Sequence, residues 1–156
     1  MRFAQYESPL GPLVLQSDGS ALTGLRFGKN NGEEAEEDPV LERAKHWLDG
    51  YFRGEVRPVD VPLQPEGTQF QRQVWELLEK IPYGTVRTYG DLAREMAACL
   101  GREKMSAQAI GQAVGKNPIC IIVPCHRVVG KDGKLTGFRA GLAMKRALLE
   151  REGVCL

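Results

Sequence analysis

Along residues 1–28 short apolar runs alternate with turn signals. Leu13-Val14-Leu15 follows Ser8-Pro9-Leu10-Gly11-Pro12, and Leu22, Leu25 and Phe27 follow Ser17-Asp18-Gly19-Ser20. That pattern predicts strands joined by tight turns. Residues 29–38 are polar and acidic, with Glu33, Glu34, Glu36, Glu37 and Asp38 grouped, which suits a solvated loop or the acidic first turn of a helix. Val40, Leu41, Ala44, Trp47, Leu48 and Tyr51 then recur at three- and four-residue spacing and predict an amphipathic helix over 39–52. Residues 54–67 interleave Val59, Val61 and Leu63 with Pro58, Pro62 and Pro65, an extended strand running into a linker.

The pattern changes after residue 67. Thr68 is placed to cap a helix carrying Phe70, Val74, Trp75, Leu77, Leu78 and Ile81, stopped by Pro82-Tyr83-Gly84. Thr88-Tyr89-Gly90-Asp91 opens a second helix reaching about Leu100, and residues 101–105 form a turn. Ser106 caps a third helix over 107–116, which Asn117-Pro118 ends because a residue before proline is pushed out of the α region. Ile119-Cys120-Ile121-Ile122-Val123 reads as a buried strand ended by Pro124, and residues 130–134 as a turn. Helix, connection, helix and then strands outline a helix-turn-helix with a wing. The third helix is nearly bare: Ala107, Ala109, Gly111, Ala113 and Gly115 leave room either for a neighbouring helix or for a nucleic-acid backbone.

Length and composition fit a soluble globular chain of 156 residues that needs no disulfide or metal staple. The formal charge of +1 conceals an asymmetry. Residues 1–66 hold seven Lys and Arg against twelve Asp and Glu, a formal −5, whereas residues 67–156 hold fourteen against eight, a formal +6. A basic second half suggests an anionic partner. The four cysteines, Cys99, Cys120, Cys125 and Cys155, form no Cys-x-x-Cys pair, and His46 and His126 lie far apart, so no metal is expected. No membrane-length apolar run and no signal core occur, which makes a reducing cytoplasm with free thiols the expected location.

Cys125-His126 is the one pair with evident chemistry. In an extended strand the two side chains would point to opposite faces, so they can cooperate only if the backbone turns there. His126 would then take the thiol proton and make a thiolate nucleophile. A buried cysteine beside a hydrogen-bonded histidine is the bland alternative. The surrounding motifs favour chemistry. Val123-Pro124-Cys125-His126-Arg127-Val128-Val129-Gly130 closely resembles the active-site segment of the O6-alkylguanine-DNA alkyltransferases. Further motifs resemble the family in order: Thr68-x-Phe70-x-x-x-Val74-Trp75, Ile81-Pro82-Tyr83-Gly84, Thr88-Tyr89-Gly90-Asp91, Asn117-Pro118, Gly137-Phe138 and the closing Leu148-Leu149-Glu150-Arg151-Glu152-Gly153. The resemblance is strong over 67–153 and loose over the first 66 residues.

The resemblance implies an α/β chain of two domains. A small ribonuclease H-like domain (1–66) would brace a mostly helical, winged helix-turn-helix-like DNA-binding catalytic domain (67–156). It implies one irreversible displacement per molecule: Cys125 takes the alkyl group from guanine O6 in duplex DNA, with thymine O4 as a further candidate. His126 would be the base and Glu152 the carboxylate orienting it, through a water. Tyr89 would donate a proton to the leaving guanine, and Asn117 would tie the bare helix to the active-site turn. Phe138, Arg139 and Val128 would line the guanine pocket. No cofactor is implied, because the damaged DNA is itself the donor. The partner is double-stranded DNA carrying O6-alkylguanine, met by a single copy of the chain, with no membrane.

The damaged base must be flipped out of the duplex. The resemblance assigns minor-groove contact to Ser106, Ala107, Ala109 and Gly111, and Arg127 is expected to bind DNA with them. The position at which the family carries a wedging arginine is Gln108 here, and the preceding turn is about five residues longer than the common pattern. Either Gln108 acts as the wedge, or Arg102 or Lys104 reaches in from the turn. Three other readings compete. A non-catalytic damage binder would lack the acceptor cysteine. A winged helix-turn-helix regulator would present long polar side chains from its recognition helix. A thiol hydrolase or redox sensor would leave the basic helix pair unexplained.

Overall fold

A computed structural model describes residues 1–32 and 36–155; Glu33 and Glu34 of the acidic run lie outside the described residues. The chain is mixed α/β and divides into two compact units, Met1–Glu66 with Pro118–Ile122, and Gly67–Asn117 with Val123–Leu156.

The first unit is an antiparallel meander of β1 (Arg2–Ser8), β2 (Gly11–Ser17) and β3 (Leu22–Phe27), with β2 in the middle. Ser8 pairs with Gly11 across a two-residue turn, and Gly11 takes φ +114, a conformation that suits glycine. Helix α1 (Pro39–Phe52) starts where Asp38 accepts from the Val40 N–H at 2.7 Å, with proline at the first helical position, where no donor is lost. It packs on β2, burying Leu41, Ala44 and Leu48 with Leu13 and Leu15.

Two expected strands are reduced to single bridges on the free edge of β3. Leu22 bridges Leu63, and Leu25 bridges Ile119. Prolines at 58, 62 and 65 remove the donors a longer ladder would need. The 119–123 segment leaves the edge after one residue because Ile121 turns back at φ +69, a strained conformation for a β-branched residue.

In the second unit α2 (Gln69–Glu79) begins with a reciprocal capping box between Thr68 and Gln71 and buries Val74, Trp75, Leu77 and Leu78. Helix α3 (Tyr89–Leu100) has the same device between Thr88 and Asp91, and stops at Gly101 in the left-handed region. Ser106 caps α4 (Ala107–Gly115). The small residues of α4 serve two ends. Ala113 is buried and its carbonyl accepts from Trp75 Nε1 at 2.8 Å, whereas Ala107 and Gly115 are exposed. The strands around the helix pair are minimal: β4 (Arg87–Thr88) and β5 (Val128–Val129) pair in parallel over two residues each. Helix α5 (Leu142–Arg151) closes the unit with Lys145, Leu148 and Leu149 turned inward.

Candidate active site

Residues 125–127 form one turn of 3-10 helix directly after Pro124. The backbone therefore turns where cooperation between Cys125 and His126 requires it. The turn is anchored from α4: Asn117 Nδ2 donates to the Val123 carbonyl at 2.8 Å in the buried interior. A single side chain thus joins the end of the bare helix to the residue two before the cysteine.

Cys125, His126 and Glu152 are all buried. His126 Nε2 donates to Glu152 Oε2 at 2.6 Å, a direct contact and not the water-bridged one expected from the resemblance. Direct contact follows from the end of α5, where Glu152 is the capping residue and its side chain has no exposed surface. Burial would raise the Glu152 carboxyl, but the hydrogen bonds and charges of His126 and Arg127 outweigh it and hold the group at about 2. Glu152 is therefore an anion that can only accept, so the imidazole proton sits on Nε2. Burial pushes His126 below its ordinary value, against the pull of Glu152, so the ring is neutral at pH 7. The unprotonated nitrogen is Nδ1, which is buried and has no hydrogen-bond partner. A neutral imidazole with an unpaired lone pair, one residue along the turn from the cysteine, is of the type that can act as a base.

Arg127 requires a correction. It does not face a groove: its side chain is about 10% exposed. Nε donates to Glu152 Oε1 at 2.8 Å, Nη2 to Oε2 at 3.1 Å and Nη1 to the Ile81 carbonyl at 2.7 Å. With its donors committed inside the unit, the guanidinium neutralises Glu152 and is withdrawn from the set expected to meet DNA. Val128 is likewise fully buried in β5, where it pairs with Arg87, and is part of the packing rather than an open pocket wall.

Tyr89, at the start of α3, is half-buried, and its hydroxyl donates to the Thr136 carbonyl at 3.2 Å. Burial raises the phenol, so it keeps its proton and remains a donor. The 136–139 segment faces it: a Cβ on Gly137, which has φ +53, would stand 3.5 Å from the Tyr89 hydroxyl oxygen. A Cβ on Gly111 of α4 would stand 3.8 Å from the Tyr89 ring. Phe138 is half-buried; Arg139 is exposed, and its Nη2 donates to the Gly115 carbonyl at 2.8 Å. Ser106, Ala107 and Gln108 are exposed, as are Arg102 and Lys104 of the preceding turn, and Ala109 and Gly111 are partly so. Along α4 lies an open cavity of about 630 Å³ lined by Thr68, Phe70, Ala109, Gln112, Lys116 and Arg139.

Two contributors were not legible in advance. Lys145 is fully buried and donates to the Thr136 carbonyl at 2.8 Å. The available signal was its phase, since Lys145, Leu148 and Leu149 share one helical face. The Gly84 N–H, which donates to Glu152 Oε1 at 3.3 Å, carries no sequence signal beyond its turn. Among the described residues no group of His, Cys, Asp and Glu could hold a metal, and no helix is long and apolar enough to cross a membrane.

Known proteins resemble this chain in sequence and in fold. Residues 69–154 match the family of the 6-O-methylguanine DNA methyltransferase DNA binding domain, and residues 1–65 match that of its ribonuclease-like domain. The methylated-DNA–protein-cysteine methyltransferase of Methanosarcina acetivorans is 45% identical over 99% of this chain and 100% of its own length. That of Mycobacterium bovis is 45% identical over 97% of this chain and 92% of its own. The crystal structure of Mycobacterium tuberculosis OGT in complex with DNA superposes with a TM-score of 0.85 at 44% identity, covering 97% of this chain and 92% of that one. With both halves matched and its relatives similar over nearly their full length, this chain belongs to the O6-methylguanine DNA methyltransferase family.

Proposed function

We propose that this protein reverses DNA damage by moving a methyl or larger alkyl group from guanine O6 in duplex DNA onto Cys125, once per molecule. The observation that carries the reading is the 2.6 Å contact between His126 Nε2 and Glu152, which leaves Nδ1 as the unprotonated nitrogen of the residue that follows the cysteine. In the step, the Cys125 thiol proton passes to His126, and the sulfur attacks the alkyl carbon in line with the O6 bond. The S–C bond forms as the C–O6 bond breaks, and its electron pair stays on guanine. Tyr89 donates its hydroxyl proton to the guanine anion, and the proton on His126 restores the phenol through solvent. The sulfur ends as a thioether, so no thiol remains for a second turnover.

Binding needs the base outside the stack. In this reading α4 enters the minor groove with Ser106, Ala107, Ala109 and Gly111 at the backbone, and Gln108 fills the gap. Glutamine supplies hydrogen bonds without cationic attraction, and Arg102 and Lys104 of the long turn supply charge near phosphate. Asn117 keeps α4 and the cysteine turn in one register, and Phe138 and Arg139 close over the base. Residues 67–156 carry the chemistry, and the acidic 1–66 segment braces them. The chain acts in the cytoplasm as a monomer.

The test is to incubate the protein with a duplex containing O6-methylguanine and weigh the protein and its peptides. One added methyl group, about 14 Da, is expected on the Cys125 peptide and not in Cys125→Ser. Tight binding without mass gain would refute transfer and leave a damage binder. For the wedge, Gln108→Ala should slow transfer from duplex more than from free O6-benzylguanine, which needs no flipping; equal losses would refute it.

A further inference from the structure

The turn between α2 and β4 meets both members of the Arg127–Glu152 pair. The Ile81 carbonyl accepts from Arg127 Nη1 at 2.7 Å, and the Gly84 N–H donates to Glu152 Oε1 at 3.3 Å. Between these two contacts, Arg127 Cζ lies over the Tyr83 ring, 5.7 Å from its centre and within reach of a cation–π attraction. The fit is close: Gly84 takes φ +79, and a Cβ there would stand 3.2 Å from the Glu152 carbonyl oxygen. The Tyr83 hydroxyl donates to the Arg151 carbonyl at 3.4 Å in an exposed position, the outer end of hydrogen-bond distance, so the ring is the stronger contact.

The pair decides the state of the base. Glu152 of α5 pulls the His126 proton affinity up, whereas burial, Arg127 on the same 3-10 turn and Lys145 of α5 push it down. Tyr83 keeps its proton, since burial raises the phenol, and α2 turns Val74, Trp75, Leu77 and Leu78 inward, none of which titrates. Arg127 is thus the cation that meets Glu152 directly. If its guanidinium swung toward water, His126 would face the same carboxylate with one cation fewer. The imidazole would then hold a proton at higher pH, where it can no longer accept one.

We propose that Tyr83 is a positioning residue for the alkyl transfer: its ring holds the Arg127 guanidinium on Glu152 and so keeps His126 ready to take the Cys125 proton. This rests on His126 being the base for Cys125, and it extends the group that sets the working pH to a residue on another element. Packing alone would require only volume at this position, whereas attraction to a guanidinium requires an electron-rich ring face.

The experiment compares three side chains at position 83. Tyr83→Phe keeps the ring face and loses the hydroxyl. A trifluorophenylalanine at the same position keeps nearly the same volume but drains the ring of its negative face. Tyr83→Leu removes the ring. Transfer from O6-benzylguanine, which needs no base flipping, is followed between about pH 5 and 9. The acid limb should stay in place in Tyr83→Phe. It should move up by about half to one pH unit in the other two, which slows transfer on the limb about three- to tenfold and leaves the alkaline plateau unchanged. The fluorinated variant, matched in size, carries the test if Tyr83→Leu does not fold. The His126 ring proton, followed by NMR, should shift its midpoint in step, with the exposed His46 unmoved as a reference. An unmoved limb in the fluorinated variant, or an equal shift in Tyr83→Phe, would overturn the proposal. So would a moved His126 midpoint with an unmoved rate profile, which would leave Tyr83 a structural contact only. Failure of His126 as base would appear separately, in the wild type, as a rate profile that ignores the His126 midpoint.

Discussion

Glutamine at position 152 would keep the volume of the side chain and remove its charge. Glu152 accepts from His126 at 2.6 Å and from Arg127 at 2.8 and 3.1 Å, with no exposed side-chain surface to soften the loss. The carboxyl is held at about 2 against an ordinary 4.5, a difference worth about 3 kcal/mol at roughly 1.4 kcal/mol per pH unit. Because the folded value is depressed, that stability is present above the unfolded value of 4.5 and is lost as pH falls through about 2. The general cost of leaving one partner of a buried ion pair alone, about 3–5 kcal/mol, is of the same size. Urea unfolding at pH 7 should therefore show Glu152→Gln less stable by about 3 kcal/mol, and the gap should close as pH falls from 5 toward 2. Adding Arg127→Met should recover much of the loss, since the stranded guanidinium is then gone. The glutamine carbonyl or amide can each meet Nε2, so the tautomer of His126 is no longer dictated, and transfer at pH 7 should slow about a hundredfold. A loss under about 1 kcal/mol at pH 7, or a gap that persists at pH 2, would refute the electrostatic account of this cluster.

Other consequences follow from single contacts. Asn117→Ala removes the donor to the Val123 carbonyl and should cost about 1–3 kcal/mol in denaturant unfolding while slowing transfer from the free base as well as from duplex. Ser106→Ala removes the acceptor for the Gln108 and Ala109 N–H groups; a loss of about 1 kcal/mol is expected, with duplex repair impaired more than reaction with O6-benzylguanine. Trp75→Phe strands the Ala113 carbonyl behind α2 and should lower stability by about 1–3 kcal/mol in urea melts. His126, lowered by burial, stays neutral below its ordinary 6.5, so the pH–rate profile with free base should hold level past that point. The unfolded chain does take up that proton, so stability should meanwhile begin to fall below 6.5.

Much of the architecture was legible because it depends on neighbours in sequence. The stripes of α1 and α2, the Thr68 and Thr88 caps and the Ser106 start of α4 are set within one or two helical turns. Two strand readings met limits of the same local kind. The prolines of 54–67 remove donors, and Ile121 reverses the chain after a single bridge. Helix α5 carries a lysine at a core position of its inward face, which breaks the apolar stripe that periodicity detects.

The sequence by itself determined the order of motifs, the Cys125-His126 adjacency and the uneven charge of the two halves, because each is a property of composition or short spacing. Tertiary structure decided which groups meet. Glu152 reaches His126 from 26 residues away and Ile81 receives Arg127 from 46, distances over which no periodicity carries information. It turned Arg127 inward to balance a buried carboxylate and assigned residues 118–122 to the first unit. It also took the Lys145 ammonium out of water, where charge is set by what surrounds a side chain and not by its identity.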